Sequence, residues 1–100
     1  MNREIIKVVN KIKKDKDVLA LALFGSSIKG SGRDIDLCIF LNKKMTNLEM
    51  SNKQINLSKE INKKVAIQIF QQLPVYIRIR IIREGKILFC KNNKMLYELA

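Results

Sequence analysis

The sequence has no histidine and no tryptophan, one proline, two cysteines and six aromatic residues in 100 positions. Each shortage excludes something. Without histidine, and with Cys38 and Cys90 each inside an apolar run and not closely spaced, a zinc centre has no ligand set, and reduced core thiols are expected. Six aromatics without tryptophan do not make a base-stacking platform for single-stranded nucleic acid. No apolar run approaches membrane-spanning length, and Met1-Asn2-Arg3-Glu4 opens without a leader-type apolar core. A cytoplasmic protein with no membrane association is therefore expected. Acid is also scarce, with nine Asp and Glu against twenty Lys and Arg for a net charge of +11. That balance favours anionic partners, whether nucleotide, nucleic acid or an acidic protein. The lysines are spread along the chain, and no nucleic-acid motif accompanies the charge.

Hydrophobic residues make up 47% of the chain, enough for a real core at this length. One domain over residues 1–100 is expected. Ile5, Ile6, Val9 and Ile12 recur at helical spacing, so residues 3 to about 14 read as an amphipathic helix. Val18 to Phe24 is continuously apolar, the pattern of an interior strand covered on both faces. Residues 34–41 alternate, with Ile35, Leu37, Ile39 and Leu41 on one face and Asp34, Asp36, Cys38 and Phe40 on the other. The second face changes from acid to apolar after two positions, as in a strand that has one end at a site and the other in the core. Residues 47–63 carry a weaker helical pattern with Thr46 or Asn47 as cap. Val65 to Phe70 alternates again, and residues 87–90 read as a short strand near an edge. A last helical turn through Tyr97 follows a cap at Asn92 or Asn93. The stretch 74–84 fits two structures locally. Alternating isoleucine and arginine favour a strand, whereas Pro74 at the start and Gly85 at the end fit a helix.

The chemistry concentrates between these strands. Gly25 permits a tight turn, and successive amides from Ser26 onward can cradle a phosphate, with the Ser26 hydroxyl as a further donor. Lys29 and Arg33 bring positive charge to the loop, and Gly30 and Gly32 allow close backbone approach. Asp34 and Asp36 then lie on one side of a strand, about 6–7 Å apart along the backbone. Two such carboxylates repel unless a cation neutralises them, and oxygen ligands suit Mg²⁺ completed by substrate phosphates. Arg33 could neutralise one acid and loop amides could satisfy the other. An anion-binding loop abutting paired acids is a more specific signal than either part alone.

The segment Leu23 to Leu37 resembles the signature of the nucleotidyltransferase superfamily typified by DNA polymerase beta, and more narrowly its minimal nucleotidyltransferases. Gly25, Ser26, Gly30, Asp34 and Asp36 match that signature one by one. The loop before Asp34 is short for the family, and Arg33 stands where serine is frequent. The resemblance implies an α/β nucleotidyltransferase fold, a small mixed twisted sheet with helices mainly on one face, and it makes 74–84 a helix. It also implies metal-dependent transfer of a nucleoside monophosphate, AMP from ATP foremost, to a hydroxyl. Asp34 and Asp36 would be catalytic and hold Mg²⁺ or Mn²⁺, while Gly25, Ser26, Lys29, Gly30 and Arg33 would bind the triphosphate. Partner proteins implied by the resemblance are helical HEPN-type toxins, with this chain in an antitoxin-like role. The family's third carboxylate should fall on the 65–70 strand, at Ala66 or Gln68. Neither is acidic. Gln68 offers only a neutral oxygen, and Glu49 and Glu60 read as surface helix positions. A catalytically weak member that binds nucleotide or a partner protein is the alternative expectation.

Overall fold

The computed structural model describes residues 3–25, 35–59, 61 and 65–99. In chain order these form α1 (Arg3–Lys13), β1 (Val18–Phe24), β2 (Ile35–Leu41), α2 (Asn47–Ser58), β3 (Val65–Ile69), α3 (Val75–Glu84), β4 (Lys86–Cys90) and α4 (Asn93–Leu99), with a 3-10 turn at Phe70–Gln72 before α3. The sheet order is β3-β2-β1-β4. β1 runs antiparallel to both its neighbours, and β2 pairs parallel with β3. The α/β mixed sheet expected from the sequence is present, with the continuously apolar β1 in its interior and β4 at an edge. Phe70 belongs to the turn and not to β3, and α2 stops at Ser58, short of the span to residue 63.

Alternation along the strands builds a core on each face. Leu21, Leu37, Ile39, Leu41, Val65, Ile67 and Ile69 pack with Val8 and Ile12 of α1 and Met50 and Leu57 of α2. Ala20, Ala22, Cys38 and Phe40 pack on the other face with Phe70, Ile81 of α3, and Met95 and Leu96 of α4. Helices therefore cover both faces, two on each, which corrects the expectation of helices mainly on one face. The reason lies in β1 and β2, whose two sides are both apolar and both need cover. A register shift between Val18 and Ala20 turns Leu19 and Ala20 to the same side, a local exception to strict alternation.

The ambiguous stretch 74–84 is helical. Pro74 precedes α3 in an extended conformation, and its carbonyl accepts the amides of Ile77 and Arg78, both at 3.0 Å. The Arg78 guanidinium donates to the carbonyls of Leu73 at 2.8 Å and Gln71 at 2.9 Å, tying the first turn to the segment before it. It also lies 5.6 Å from the centroid of Phe70, which stacks on Phe40. Those tertiary contacts, together with burial of Ile77 and Ile81, override the β-propensity of isoleucine. At the other end the Gly85 amide donates to the Ile81 carbonyl at 2.8 Å. Gly85 has no positive φ, but a Cβ there would collide with the Ile81 carbonyl oxygen, so the sharp exit from α3 needs glycine.

α2 starts in a capping box: the Glu49 amide donates to the Thr46 hydroxyl at 3.1 Å, and the Thr46 amide to the Glu49 carboxylate at 3.0 Å. Its middle is clamped to the turn before β1 by Lys53, 3.0 Å from Asp15 and 2.9 Å from Asp17. The Lys53 ammonium, aided by Lys43, holds the buried Asp17 carboxyl below its ordinary value of 3.8 against the opposing effect of burial. Because the unfolded carboxyl binds its proton more tightly, this contribution is present above pH 3.8 and is lost as pH falls through the lowered folded value. Asp17→Asn is therefore expected to destabilise the protein at neutral pH, with the deficit shrinking in acid. Urea unfolding of both proteins across this range is the check, and a pH-independent deficit would refute the ionic origin. Cys38 is buried and unpaired, and burial pushes its thiol up to about 12, as expected of a reduced core residue. Among the described residues no helix is long and apolar enough to cross a membrane.

Candidate functional site

β1 ends at Phe24, and Gly25 then turns the chain with φ at 75°. That left-handed conformation is open to glycine and costly for other residues. Asp36 is drawn against the turn because Phe24 and Asp36 are register partners across the antiparallel pair. A Cβ built on Gly25 would stand 2.6 Å from Oδ2 of Asp36. The missing side chain therefore leaves room for the carboxylate. Asp36 is half-buried at the start of β2, while the next residues of its face, Cys38 and Phe40, are fully in the core. The change from acid to apolar along that face corresponds to a change from the open end of the strand to its buried middle.

The parallel pairing of β2 and β3 sets what lies beside Asp36. Its register partner is Ala66, and Gln68 pairs with Cys38 one pleat repeat further in, about 6–7 Å along the strand. The position adjoining the acid is therefore a methyl group. Glu49 is occupied in the capping box of α2, which follows the opposite end of β2, so it is no substitute. Among the described residues no group of three or more His, Cys, Asp and Glu side chains is gathered as a metal centre. Ser26, Lys29, Gly30, Arg33, Asp34 and Glu60 lie outside the described residues.

Beside Gly25 the sheet and α3 enclose a cleft of ≈ 120 Å³, lined by Phe24, Gly25, Ile77, Arg80, Ile81 and Glu84. Arg80 and Glu84 are exposed and 3.8 Å apart, a loose pair at the rim. Sequence reasoning missed both, because their meeting on one face depends on 74–84 being a helix. The signal was the set Ile77, Arg80, Ile81 and Glu84, spaced i, i+3, i+4 and i+7. The cleft thus combines an apolar floor, an ion pair at its mouth and the turn that accommodates a carboxylate.

A strand, a glycine turn and a returning strand with an acid against that turn are the frame of a nucleotidyltransferase domain. The family model described as "Polymerase beta, Nucleotidyltransferase" matches residues 6–94, and the chain belongs to that family. It is 33% identical over 75 residues to a Methanocaldococcus jannaschii protein provisionally named a protein adenylyltransferase, an alignment covering 72% of this chain. The chain spans only 56% of that relative's length. A chain from the crystal structure of a toxin–antitoxin with AMP-PNP superposes with a TM-score of 0.65 at 18% identity, over 94% of this chain and 77% of the other. A chain from the complex of tri-AMPylated Shewanella oneidensis HEPN toxin with MNT antitoxin gives 0.59 at 19% identity, over 96% and 73%. At these identities the solved structures show a shared fold.

Proposed function

We propose that this chain transfers AMP from ATP to a hydroxyl group on a partner protein, a helical HEPN-type toxin being the fitting class of acceptor. The observation that carries the reading is the seating of the Asp36 carboxylate against the positive-φ turn at Gly25, in a chain of this family. The adenylyltransferase name of the curated relative and the AMP-PNP and AMPylated toxin of the solved complexes support the choice of nucleotide and acceptor.

In this reading amides of the turn after Gly25, with Ser26, Lys29, Gly30 and Arg33, bind the triphosphate. Asp34 and Asp36 would hold Mg²⁺ or Mn²⁺, which when bound neutralises phosphate charge and stabilises the departing pyrophosphate. The hard carboxylate oxygens of Asp36, seated against the Gly25 turn, suit such an ion. The acceptor oxygen bonds to the α-phosphorus, the bond to the bridging oxygen breaks, pyrophosphate leaves with the electron pair, and the hydroxyl proton passes to water. Alignment and electrostatics supply the catalysis.

A second reading rests on one observation, Ala66 beside Asp36. Without an acid there the chain is a weak catalyst that chiefly binds nucleotide and partner. Incubation with labelled ATP, Mg²⁺ and a HEPN-type protein separates the two. The transferase reading expects label on the partner, reduced by about 100-fold or more in Asp36→Ala. Nucleotide binding without labelling would favour the second reading. Labelling unaffected by Asp36→Ala would remove the basis of the first.

A further inference from the structure

The outward face of α3 is apolar where a solvated helix would be polar. Val75 is 66% exposed, Ile79 46% and Ile82 49%. Their i, i+4, i+7 spacing puts them in one stripe, turned away from Ile77 and Ile81, which pack onto the sheet. Tyr76 flanks the stripe and is also exposed. Ile82 belongs in addition to the wall of a groove of ≈ 300 Å³ between α3, β4 and α4, whose lining includes Phe40, Ile87, Leu96 and Tyr97. Stripe and groove are thus one continuous apolar surface joined at Ile82.

The charges around this surface have one dominant sign. Between residues 75 and 99 the acids are Glu84 and Glu98 alone. Among the cations Arg78 is held by the carbonyls of Leu73 and Gln71, Lys91 by that of Asp15, and Arg80 lines the cleft, which leaves Arg83, Lys86 and Lys94 exposed. Glu84 already faces Arg80. We propose that this surface docks an amphipathic helix of a partner protein, one whose apolar stripe is flanked by carboxylates. A helix supplies anchors at the spacing that a stripe and groove accept. Carboxylates answer the surrounding cations and accelerate encounter. A second copy of this chain would bring +11 against +11, and a flat bilayer would leave the groove unfilled.

The position also connects to the cleft. Arg80 and Glu84 line it from the same helix that carries the stripe, so a docked partner lies within about one helix diameter, 10–12 Å, of Gly25. That last link rests on the proposed transfer reaction; the docking surface itself does not.

The test uses the full chain and a synthetic twenty-residue amphipathic helix with leucines at i, i+4 and i+7 and glutamates on its flanks. Controls are the same peptide with lysine for glutamate, phosphatidylglycerol vesicles, and the variant Ile79→Glu/Ile82→Glu, whose exposed positions allow folding to be verified by circular dichroism. The glutamate peptide is expected to bind, to shift amide resonances of α3 and α4, and to bind the variant at least about tenfold more weakly. The lysine peptide should be similarly disfavoured. Equal binding to the variant, preference for the lysine peptide, or no binding up to about 1 mM would overturn the proposal. So would self-association in sedimentation, or vesicle binding, that the double substitution abolishes, because the occupant would then be a second copy or a membrane. Mg·ATP affinity is measured in parallel and should not change in the variant. If wild type fails to bind Mg·ATP while the peptide binds, the transfer reading fails and the docking surface stands.

Discussion

Replacing Gly25 by alanine is expected to destabilise the protein by about 2 kcal/mol and to weaken Mg·ATP binding by about 100-fold. Two separate costs contribute. At φ 75° the alanine Cβ meets its own backbone, a strain of about 1–2 kcal/mol. The same Cβ would lie 2.6 Å from Asp36 Oδ2, closer than real contacts allow, so the carboxylate must move. A double-mutant cycle separates the two. In an Asp36→Ala background the steric conflict disappears, and the stability cost of Gly25→Ala should fall to the backbone part. Denaturant unfolding of the four proteins measures stability, and calorimetric titration of wild type and Gly25→Ala measures nucleotide affinity. An identical cost in both backgrounds would show that the contact with Asp36 is not what requires glycine. Unaltered affinity alongside reduced stability would make the turn a folding device without a role in binding.

How far such a site is visible in sequence depends on the kind of information each part needs. Gly25, Asp36 and the two strands that carry them were legible because their signals are local: an unbroken apolar run, a glycine, then alternation that switches from acid to apolar. The nature of α3 was not, since β-branched isoleucines and interleaved arginines satisfy a strand pattern as well as a helical one. What decides it is tertiary, namely Ile77 and Ile81 packing onto the sheet face formed by Ala20, Ala22, Cys38 and Phe40, while Arg78 ties the first turn back to Leu73 and Gln71. Arg80 and Glu84 stayed hidden for the same reason. The two-sided cover of the sheet also needed the helices' destinations, which composition does not give. Alternation placed Ala66 and Gln68 on one face but could not choose between them. Only the parallel register, with Asp36 beside Ala66, makes the choice.

That choice makes Ala66→Asp the informative gain-of-function variant, in preference to a change at Gln68. The neighbouring strand places the introduced carboxylate about 4.8 Å from the Asp36 row, on the same face. Without metal, two like charges at that spacing oppose one another, and one of the pair must titrate above its ordinary value. The unfolded chain then releases protons more readily than the folded one, so the variant should lose stability as pH rises through about 4 towards neutrality. A divalent ion reverses the effect by binding between the carboxylates. We therefore expect metal-free Ala66→Asp to be less stable than wild type at pH 7, and Mg²⁺ to raise its melting temperature by more than that of wild type. Affinity for Mg²⁺ and the rate of nucleotidyl transfer should each increase by about tenfold or more, the scale at which changes to a metal's ligand environment act. The same substitution at Gln68 should do neither, because its neighbour on β2 is the buried Cys38. If Ala66→Asp leaves Mg²⁺ affinity and transfer unchanged, the missing acid is not what limits the site. A larger gain at Gln68 would instead mean that the metal sits deeper along the strand than Asp36. The variant thus bears directly on the two functional readings: a large gain identifies Ala66 as the reason for weak catalysis, and no gain in an already active wild type shows that the pair of acids suffices.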